Sequence, residues 1–436
     1  MRQALPVDRR SAARTDGAPQ AAPHHSAARA GIPVAVVGAG ASGLMAALLA
    51  AWNGAAVTLF ERNDAVGRKL LVTGSGRCNL SNDGAAAEVY TCADKQWMET
   101  LLSRFGVPDL LAVLAEIGVP VYKTQDGWYY PLSDSAHTVV QAFSSALALA
   151  GVTLRCHAPV HFIEPGEEGL TLRFEQVGRA EQADFRRVIW SAGGRALPKL
   201  GSRGELFPLL EGLGHTVLPL RPALAPVLVD LGPWKPLQGV RLDLGVTLLE
   251  GSQRLAATRG NLIFTEWGLN GPAVMDLSHH VSARPGGTLE LSLNWLAFLQ
   301  EEFDRLLAQK RSTPMPLGVL LGAFFPPKAA ATLLKNAGLA GETPLSRVSD
   351  RALETLIAGL QDTRLRVKGV RDWEYCQTSA GGVPVTEVDP STMESRRVQG
   401  LYLTGETLDV VGPCGGYNLQ YAFSSGAVAG QAAARD

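Results

Sequence analysis

Residues 34–61 constrain this chain more than any other stretch. Val34 to Val37 is an apolar run short enough for a buried parallel strand. Gly38, Gly40 and Gly43 follow at once in G-x-G-x-x-G spacing. The Ala/Leu-rich segment 44–52 predicts a helix, and Gly54 can end it. Val57 to Phe60 is a second apolar run and closes on Glu61. Each part has a physical task in gripping a dinucleotide. Gly38 permits the tight turn, Gly40 lets backbone approach a pyrophosphate, and Gly43 lets helix and strand pack closely. The pyrophosphate then rests on unpaired N–H groups at the positive helix end. Glu61 can accept hydrogen bonds from ribose hydroxyls and would repel a 2′-phosphate. Glycine turns are common; strand, turn, helix and an acid about 20 residues on, in that order, are not.

The rest of the composition narrows the class. With 436 residues there is room for two or three domains. Apolar content of 46% and a net charge of −1 describe an ordinary globular protein with no bulk attraction to nucleic acid or anionic membrane. No apolar run approaches the roughly 18 residues of a spanning helix. The five cysteines form no C-x-x-C, which argues against a disulfide framework, a zinc ribbon or a dithiol redox pair, and favours a reducing cytoplasm. Residues 1–30 nearly lack large apolar side chains and have no signal-peptide core, so a disordered tail is expected there.

Along the chain, residues 67–79 gather three cations and three glycines into a loop suited to wrapping an anionic ligand. Helices are expected over 97–105, 109–118 and 137–150, and strands over 152–156, 160–164, 170–175 and 187–190. The last strand ends in Ser191-Ala-Gly-Gly194, a glycine turn at a strand's carboxyl end, where open α/β sheets bind ligands. From Arg195 prolines break the helical patterns, and 240–248 and 289–295 alternate as half-buried antiparallel strands do. Helical segments follow at 299–307, 317–325, 328–337 and 350–360. A short strand at 401–404 ends in Gly405-Glu406, and Gly415-Gly-Tyr-Asn-Leu-Gln420 leads into a small-residue helix over 422–434. The expected division is a tail over 1–30, a dinucleotide-binding domain over 31–194, an inserted substrate domain over 195–374, and a return to the first domain over 375–436.

Together these motifs resemble the BaiN/RdsA-type family of NAD(P)/FAD-dependent flavoprotein oxidoreductases, also called the aminoacetone oxidase family. The matching pieces include Val34–Gly43, Gly67-Arg-Lys69, Gly74-Ser-Gly-Arg-Cys-Asn79, Arg221-Pro-Ala-Leu224, Gly268-Leu-Asn-Gly-Pro272, Thr378-Ser-Ala-Gly-Gly382, Met393-Glu-Ser395 and Gly415-Gly-Tyr-Asn418. The likeness implies an α/β fold: a discontinuous Rossmann-type FAD-binding domain with an inserted β-barrel and helical subdomain. It also implies tightly bound FAD. Gly38, Gly40, Ser42 and Gly43 would hold its pyrophosphate, and Glu61 its adenosine ribose. Arg68, Lys69, Gly76, Arg77, Cys78 and Asn79 would line the flavin and phosphates. Gly405 and Glu406 would face the ribityl-phosphate region. Backbone N–H groups of Gly415, Gly416, Tyr417, Asn418, Leu419 and Gln420 would stabilise negative charge at the flavin's pyrimidine end. Ala41, Arg62, Thr73, Gly74, Val160, Ala192 and Gly193 complete the expected cofactor envelope. Two departures stand out. Ser75 replaces an expected glycine, and Cys414 an expected threonine.

FAD would carry the electrons, leaving Tyr417 and Asn418 as candidate catalytic side chains. Cys78 and Cys414 read as small buried residues rather than a redox pair. His215, His279 and His280 lie in the insert; adjacent histidines point to different faces of a regular element and chelate poorly, so no metal is expected. The function implied is hydride transfer to or from a small organic substrate, with NAD(P)H as a candidate donor. Between 90 and 400 no second strand–G-x-G-x-x-G–helix unit occurs, so NAD(P)H would share the substrate's cleft between FAD domain and insert. The alternatives are an FAD-dependent tRNA-modifying enzyme, which would need a basic surface that the net charge does not signal, and a flavin-binding protein without turnover. A small-molecule partner is expected, with no nucleic acid and no membrane.

Overall fold

A computed structural model describes residues 31–435. The expected tail over 1–30 lies outside them. The chain forms two compact units: one ends at Leu220 and resumes at Thr378, and the other runs Arg221–Gln377.

The first unit is built on a five-stranded parallel sheet. Its strands, in spatial order, are Leu401–Leu403, Arg187–Trp190, Pro33–Val37, Ala56–Phe60 and Thr153–Arg155. The Pro33–Val37 strand lies at the centre because it is apolar on both faces, and Val34 to Val36 are wholly buried. Helices Ala41–Trp52 and Tyr417–Ala433 pack against one another at glycine contact. Gly426 and Gly430 leave no room for a Cβ against the backbone of Ser42 and Ala46. A three-stranded antiparallel sheet of Val160–Pro165, Leu170–Gln176 and Arg179–Phe185 packs on the parallel sheet through Phe60, whose ring lies 4.8 Å from that of Phe174. A smaller sheet joins Ser81–Asn82, Trp128–Pro131 and Val121–Lys123.

The order of strands explains the discontinuity. Leu401–Leu403, from the end of the chain, pairs directly with Arg187–Trp190, from its first half. Residues 195–220, expected in the insert, stay with this unit. They are pinned by Arg195 N and Ala196 N donating to Ser379 Oγ at 2.7 and 3.3 Å, and by Ser202 Oγ donating to Gly194 O at 2.6 Å.

The second unit holds a closed six-stranded barrel. Its strands run Val227–Val229, Gly268–Asn270, Gln253–Phe264, Arg241–Glu250, Leu289–Asn294 and Thr363–Val370, and the last pairs with the first. Helices Gln300–Lys310, Leu317–Gly322, Pro327–Asn336 and Asp350–Gln361 complete it. Trp295, fully buried, is the centre of this core: the rings of Trp234, Phe264 and Phe325 surround it at 5.7, 5.9 and 6.1 Å. Its indole N–H donates to Thr363 Oγ1 at 2.9 Å, which satisfies the polar atom in an apolar setting.

The histidine expectation needs correcting. His279 and His280 do not diverge: their rings lie 4.1 Å apart on the five-residue helix Ser278–Ser282. Successive side chains on any α-helix are only about 100° apart, not opposed, so adjacent rings can lean together. Burial, the neighbouring His280 and Arg221 together push His279 down to about 3, so it is neutral at pH 7. Among the described residues no group of three His, Cys, Asp or Glu could hold a metal. No helix among them is long and apolar enough to cross a membrane.

Candidate cofactor site

The carboxyl ends of four parallel strands deliver the expected residues to one edge of the sheet: Gly38–Gly43, Glu61, Ser191–Gly194 and Gly405–Glu406. The three glycines of the first turn divide their labour as their spacing predicts. Gly38 has φ +99°, and a Cβ there would lie 2.5 Å from Ser191 O. A Cβ at Gly43 would overlap the Gly38 carbonyl, whereas one at Gly40 would meet nothing within 4 Å. Gly40 is also the N-cap of the Ala41–Trp52 helix, and no side chain caps it. Open space therefore stands over an uncapped, positive helix end, as a bound pyrophosphate requires.

Glu61 is buried and already committed. Its Oε2 accepts from Ala39 N at 3.0 Å, and its Oε1 accepts from Asn63 N at 2.9 Å and Asn63 Nδ2 at 2.6 Å. Asn63 Oδ1 in turn accepts from Arg68 at 2.8 Å. Arg62 turns the other way, to Gly201 O at 3.2 Å and into an ion pair with Glu205. Burial and Arg203 lower its pKa, partly offset by Glu61. Ala158 N donates to Glu61 O at 2.9 Å, which brings Val160, buried at the start of its strand, to the same edge.

The cation-rich loop takes the unusual backbone its glycines foretold. Gly74 and Ser75 are both left-handed, with φ +56° and +58°, and Gly76 and Cys78 follow at +83° and +61°. Thr73 Oγ1 closes the preceding turn on Leu70 O at 2.7 Å. Arg77 lies over the Tyr130 ring at 4.5 Å. Cys78 is fully buried, and burial pushes its thiol up to about 12 despite a hydrogen bond with Thr73. Lys69 reaches across to an ion pair with Glu406.

At the far end, Gly415 and Gly416 have φ +115° and +98°, and the helix begins at Tyr417, earlier than its small-residue composition suggests. The Tyr-Asn-Leu-Gln piece is thus the first turn of a second helix with no side-chain cap. Asn418 spends both ends of its amide on the preceding turn, accepting from Gly412 N at 2.8 Å and donating to Gly412 O at 2.7 Å. Gln420 is fully buried, accepting from Ser81 Oγ at 2.6 Å and donating to Ser424 Oγ at 3.0 Å. Tyr417 packs edge-on to Tyr90 at 6.3 Å. Asn79 Oδ1 is buried without a hydrogen-bond partner, and a Cβ at Gly416 would lie 2.8 Å from it. Sequence reasoning passed over Asn63, Ser202, Ser379 and Tyr130. Only Ser379 lay inside a quoted motif; Tyr130 meets Arg77 from far along the chain, while Asn63 and Ser202 bond near neighbours that no spacing rule singles out.

The residues present fit an FAD: one uncapped helix end with open space, a second at Tyr417, a left-handed loop rich in cations, and a buried acceptor on Asn79 awaiting a donor. When bound, FAD would supply the redox chemistry.

Comparison with known proteins agrees. The HI0933-like protein Rossmann domain model matches residues 32–432. A 3-dehydro-bile acid delta(4,6)-reductase of Clostridium scindens is 34% identical over 92% of this chain and 98% of its own. A ribosomal RNA dihydrouridine synthase of Escherichia coli is 30% identical over 89% and 95%. A crystal structure of the 3-ketosteroid-delta4-(5alpha)-dehydrogenase from Rhodococcus jostii shares the fold, with a TM-score of 0.50 at 14% identity over 93% of this chain and 97% of that one. A strand–glycine–helix unit from the first part of the chain and another from its last part, both in one sheet, and a model match across nearly the whole described chain agree: this protein belongs to the HI0933-like family of FAD-binding Rossmann oxidoreductases.

Proposed function

We propose that this chain reduces a carbon–carbon double bond conjugated to a carbonyl in a small organic substrate, with NAD(P)H as the source of electrons. The observation that carries the reading is the near-full-length likeness to a 3-dehydro-bile acid reductase. A 3-oxo group beside a double bond at position 4 is an enone. The 5,6 bond of uracil, conjugated to its 4-carbonyl, offers the same electronics, so the names of both relatives point to one chemistry. Hydride arrives at the carbon remote from the carbonyl, negative charge gathers on oxygen as an enolate, where N–H donors stabilise it, and a proton from solvent then adds at the carbon next to the carbonyl to give the saturated ketone. The chain's own part is to bind and orient. The uncapped helix ends and the left-handed loop hold the cofactor, and the Asn418 clamp keeps the 412–416 turn in shape.

A specific surface favours RNA as the second reading. Along the Thr363–Val370 strand Arg364, Arg366 and Lys368 all point outward. Just beyond them Arg371 lies 4.7 Å from the Trp267 ring centroid and 3.2 Å from that of Tyr375. Arg364 pairs with Asp362 and Glu290 and Lys368 with Asp230, so the face is mixed in charge. With Arg366 beside them and the exposed Tyr375 ring at its end, it still offers phosphate contacts and a stacking surface to a single-stranded nucleic acid.

The test is a half-reaction. The protein is reduced without oxygen by NADH or NADPH, then mixed with a 3-oxo-4-ene steroid or with a uridine-containing RNA, and the visible flavin band is followed. Recovery with the steroid supports the first reading, recovery with RNA alone supports the second, and recovery with neither defeats both.

A further inference from the structure

We propose that Lys69 serves the cofactor indirectly, as a positioning residue: it neutralises Glu406, a carboxylate that would otherwise repel the bound pyrophosphate. The proposal rests on FAD as the cofactor and on no particular substrate.

Lys69 and Glu406 are 337 residues apart and meet in an ion pair whose side chains are only 26% and 23% exposed. The carboxylate is held from both sides. Ser379 Oγ accepts from Arg195 N and Ala196 N, so its own hydrogen is turned toward Glu406 Oε2 at 3.5 Å. Gly194 presses against the same group: a Cβ there would lie 3.2 Å from Glu406 Oε2 and would overlap Ser379 Oγ.

The location makes the charge matter. Gly405, the residue before Glu406, has φ +59°, and a Cβ on it would lie 2.7 Å from Ser42 Oγ. Ser42 belongs to the first turn of the uncapped helix whose positive end suits a pyrophosphate. A fixed carboxylate this near a doubly charged ligand opposes binding, and partial burial screens it less than bulk water would. With its ammonium on Glu406, Lys69 removes that opposition. A lysine that instead gripped the phosphates would leave Glu406 uncompensated.

The two roles predict opposite results in a double-mutant cycle. FAD binding to deflavinated full-length protein is measured by titration calorimetry for the wild type, Lys69→Met, Glu406→Gln and the double variant. Lys69→Met should weaken binding about tenfold or more, because it strands the carboxylate. Adding Glu406→Gln should recover most of that loss. The bound flavin's midpoint potential should move negative in Lys69→Met and return in the double variant, a readout that a merely structural pair would not produce. Lys69→Arg should behave as the wild type, and the melting temperature of each deflavinated variant separates misfolding from lost affinity. A double variant that binds as weakly as Lys69→Met would overturn the proposal and make Lys69 a direct phosphate ligand; a Lys69→Met variant with unchanged affinity and potential would overturn it by removing Lys69 from the site. Wild-type protein that takes up no FAD would instead remove the cofactor on which the proposal rests.

Discussion

Glu61 accepts a hydrogen bond at 3.0 Å from the backbone N–H of Ala39, so the acid closing the second strand is fastened to the glycine turn that closes the first. The same carboxylate ties down Asn63, which holds Arg68. One side chain thus shapes the turn, the carboxyl end of the second strand and the start of the cationic loop.

Glu61→Ala should therefore lower FAD affinity roughly ten- to hundredfold, the loss of a charge-assisted hydrogen bond worth on the order of 1.5–3 kcal/mol. Glu61→Gln keeps one acceptor oxygen and should lose less. Calorimetric titration of the deflavinated protein reads both, and an unchanged dissociation constant for Glu61→Ala would take this residue out of the site.

Ser75 sits at φ +58°, where a Cβ costs about 1–2 kcal/mol and glycine sits freely. Glycine is also the residue expected there from the family resemblance. Ser75→Gly gains backbone ease and loses some chain entropy, for a net gain of about 0.5–1 kcal/mol. The melting temperature should rise by roughly 1–3 °C. A lower melting temperature would mean that the Ser75 side chain makes a contact worth more than the strain.

Cys78→Ser and Cys414→Ser should each keep flavin reduction within about tenfold of wild type, or roughly 1.4 kcal/mol in barrier. The Cys78 thiol, pushed up to about 12, is not ionised at neutral pH and is a poor nucleophile; for Cys414 the reason is that a flavin can take the electrons without a thiol partner. Single-turnover reduction by NAD(P)H measures this, and a thousandfold loss in either variant would bring a thiol into the chemistry.

Acid should loosen the first unit through a buried chain of three side chains. His215 Nδ1 lies 2.8 Å from Glu387 Oε2, and its Nε2 lies 2.8 Å from Ser395 Oγ. Ser395 Oγ accepts from Arg397 N and Val398 N, which turns its hydrogen toward the ring and calls for a neutral imidazole. Burial lowers the His215 pKa more than Glu387 raises it. A histidine depressed in the fold contributes stability that is full above its unfolded value of about 6.5 and is lost as pH falls below it. Burial alone would raise Glu387, but hydrogen bonds from Thr216, His215 and Arg397 outweigh it and hold the carboxyl low, so its own loss begins only near the unfolded carboxyl range. The melting temperature should drop from pH 7.5 to 5.5, and more shallowly in His215→Gln. Parallel profiles would show that His215 takes up no proton on unfolding.

If NAD(P)H and the substrate use one site in turn, initial rates over a grid of both should give parallel double-reciprocal lines with competition at high donor. Intersecting lines without donor inhibition would require both to be bound at once.

Much of this site was legible in the sequence because its demands are local. A turn that must meet a pyrophosphate needs glycine at fixed steps; Gly38 and Gly43 have the close backbone contacts that spacing implies, and the space over Gly40 is open. Segments 187–190 and 289–295 were legible for the same cause, since period and run length report burial directly. What escaped depended on partners far away. The Gln253–Phe264 strand reads Gln-Arg-Leu-Ala-Ala-Thr-Arg-Gly, with no sustained alternation, and is a strand because Arg241–Glu250 pairs along its length. His215 looked like a stray insert histidine until Glu387 and Ser395 closed around it. Asn418, a candidate for catalysis from its motif, also holds a turn with both ends of its amide, a role no motif announced.

The pairing of Leu401–Leu403 with Arg187–Trp190 also sets a timetable. During synthesis all of Arg221–Gln377 emerges before the strand and helix that finish the first unit. Domains fold as they leave the ribosome, so the barrel can mature while the nucleotide-binding half is still waiting for its last strand and its second helix end. The second helix end proposed for the cofactor reaches the first unit only once Tyr417 has been made. A nascent polypeptide stalled anywhere before residue 400 would carry the glycine turn yet lack Glu406 to meet Lys69, and quality control could recognise it by the apolar edge of Arg187–Trp190 left uncovered.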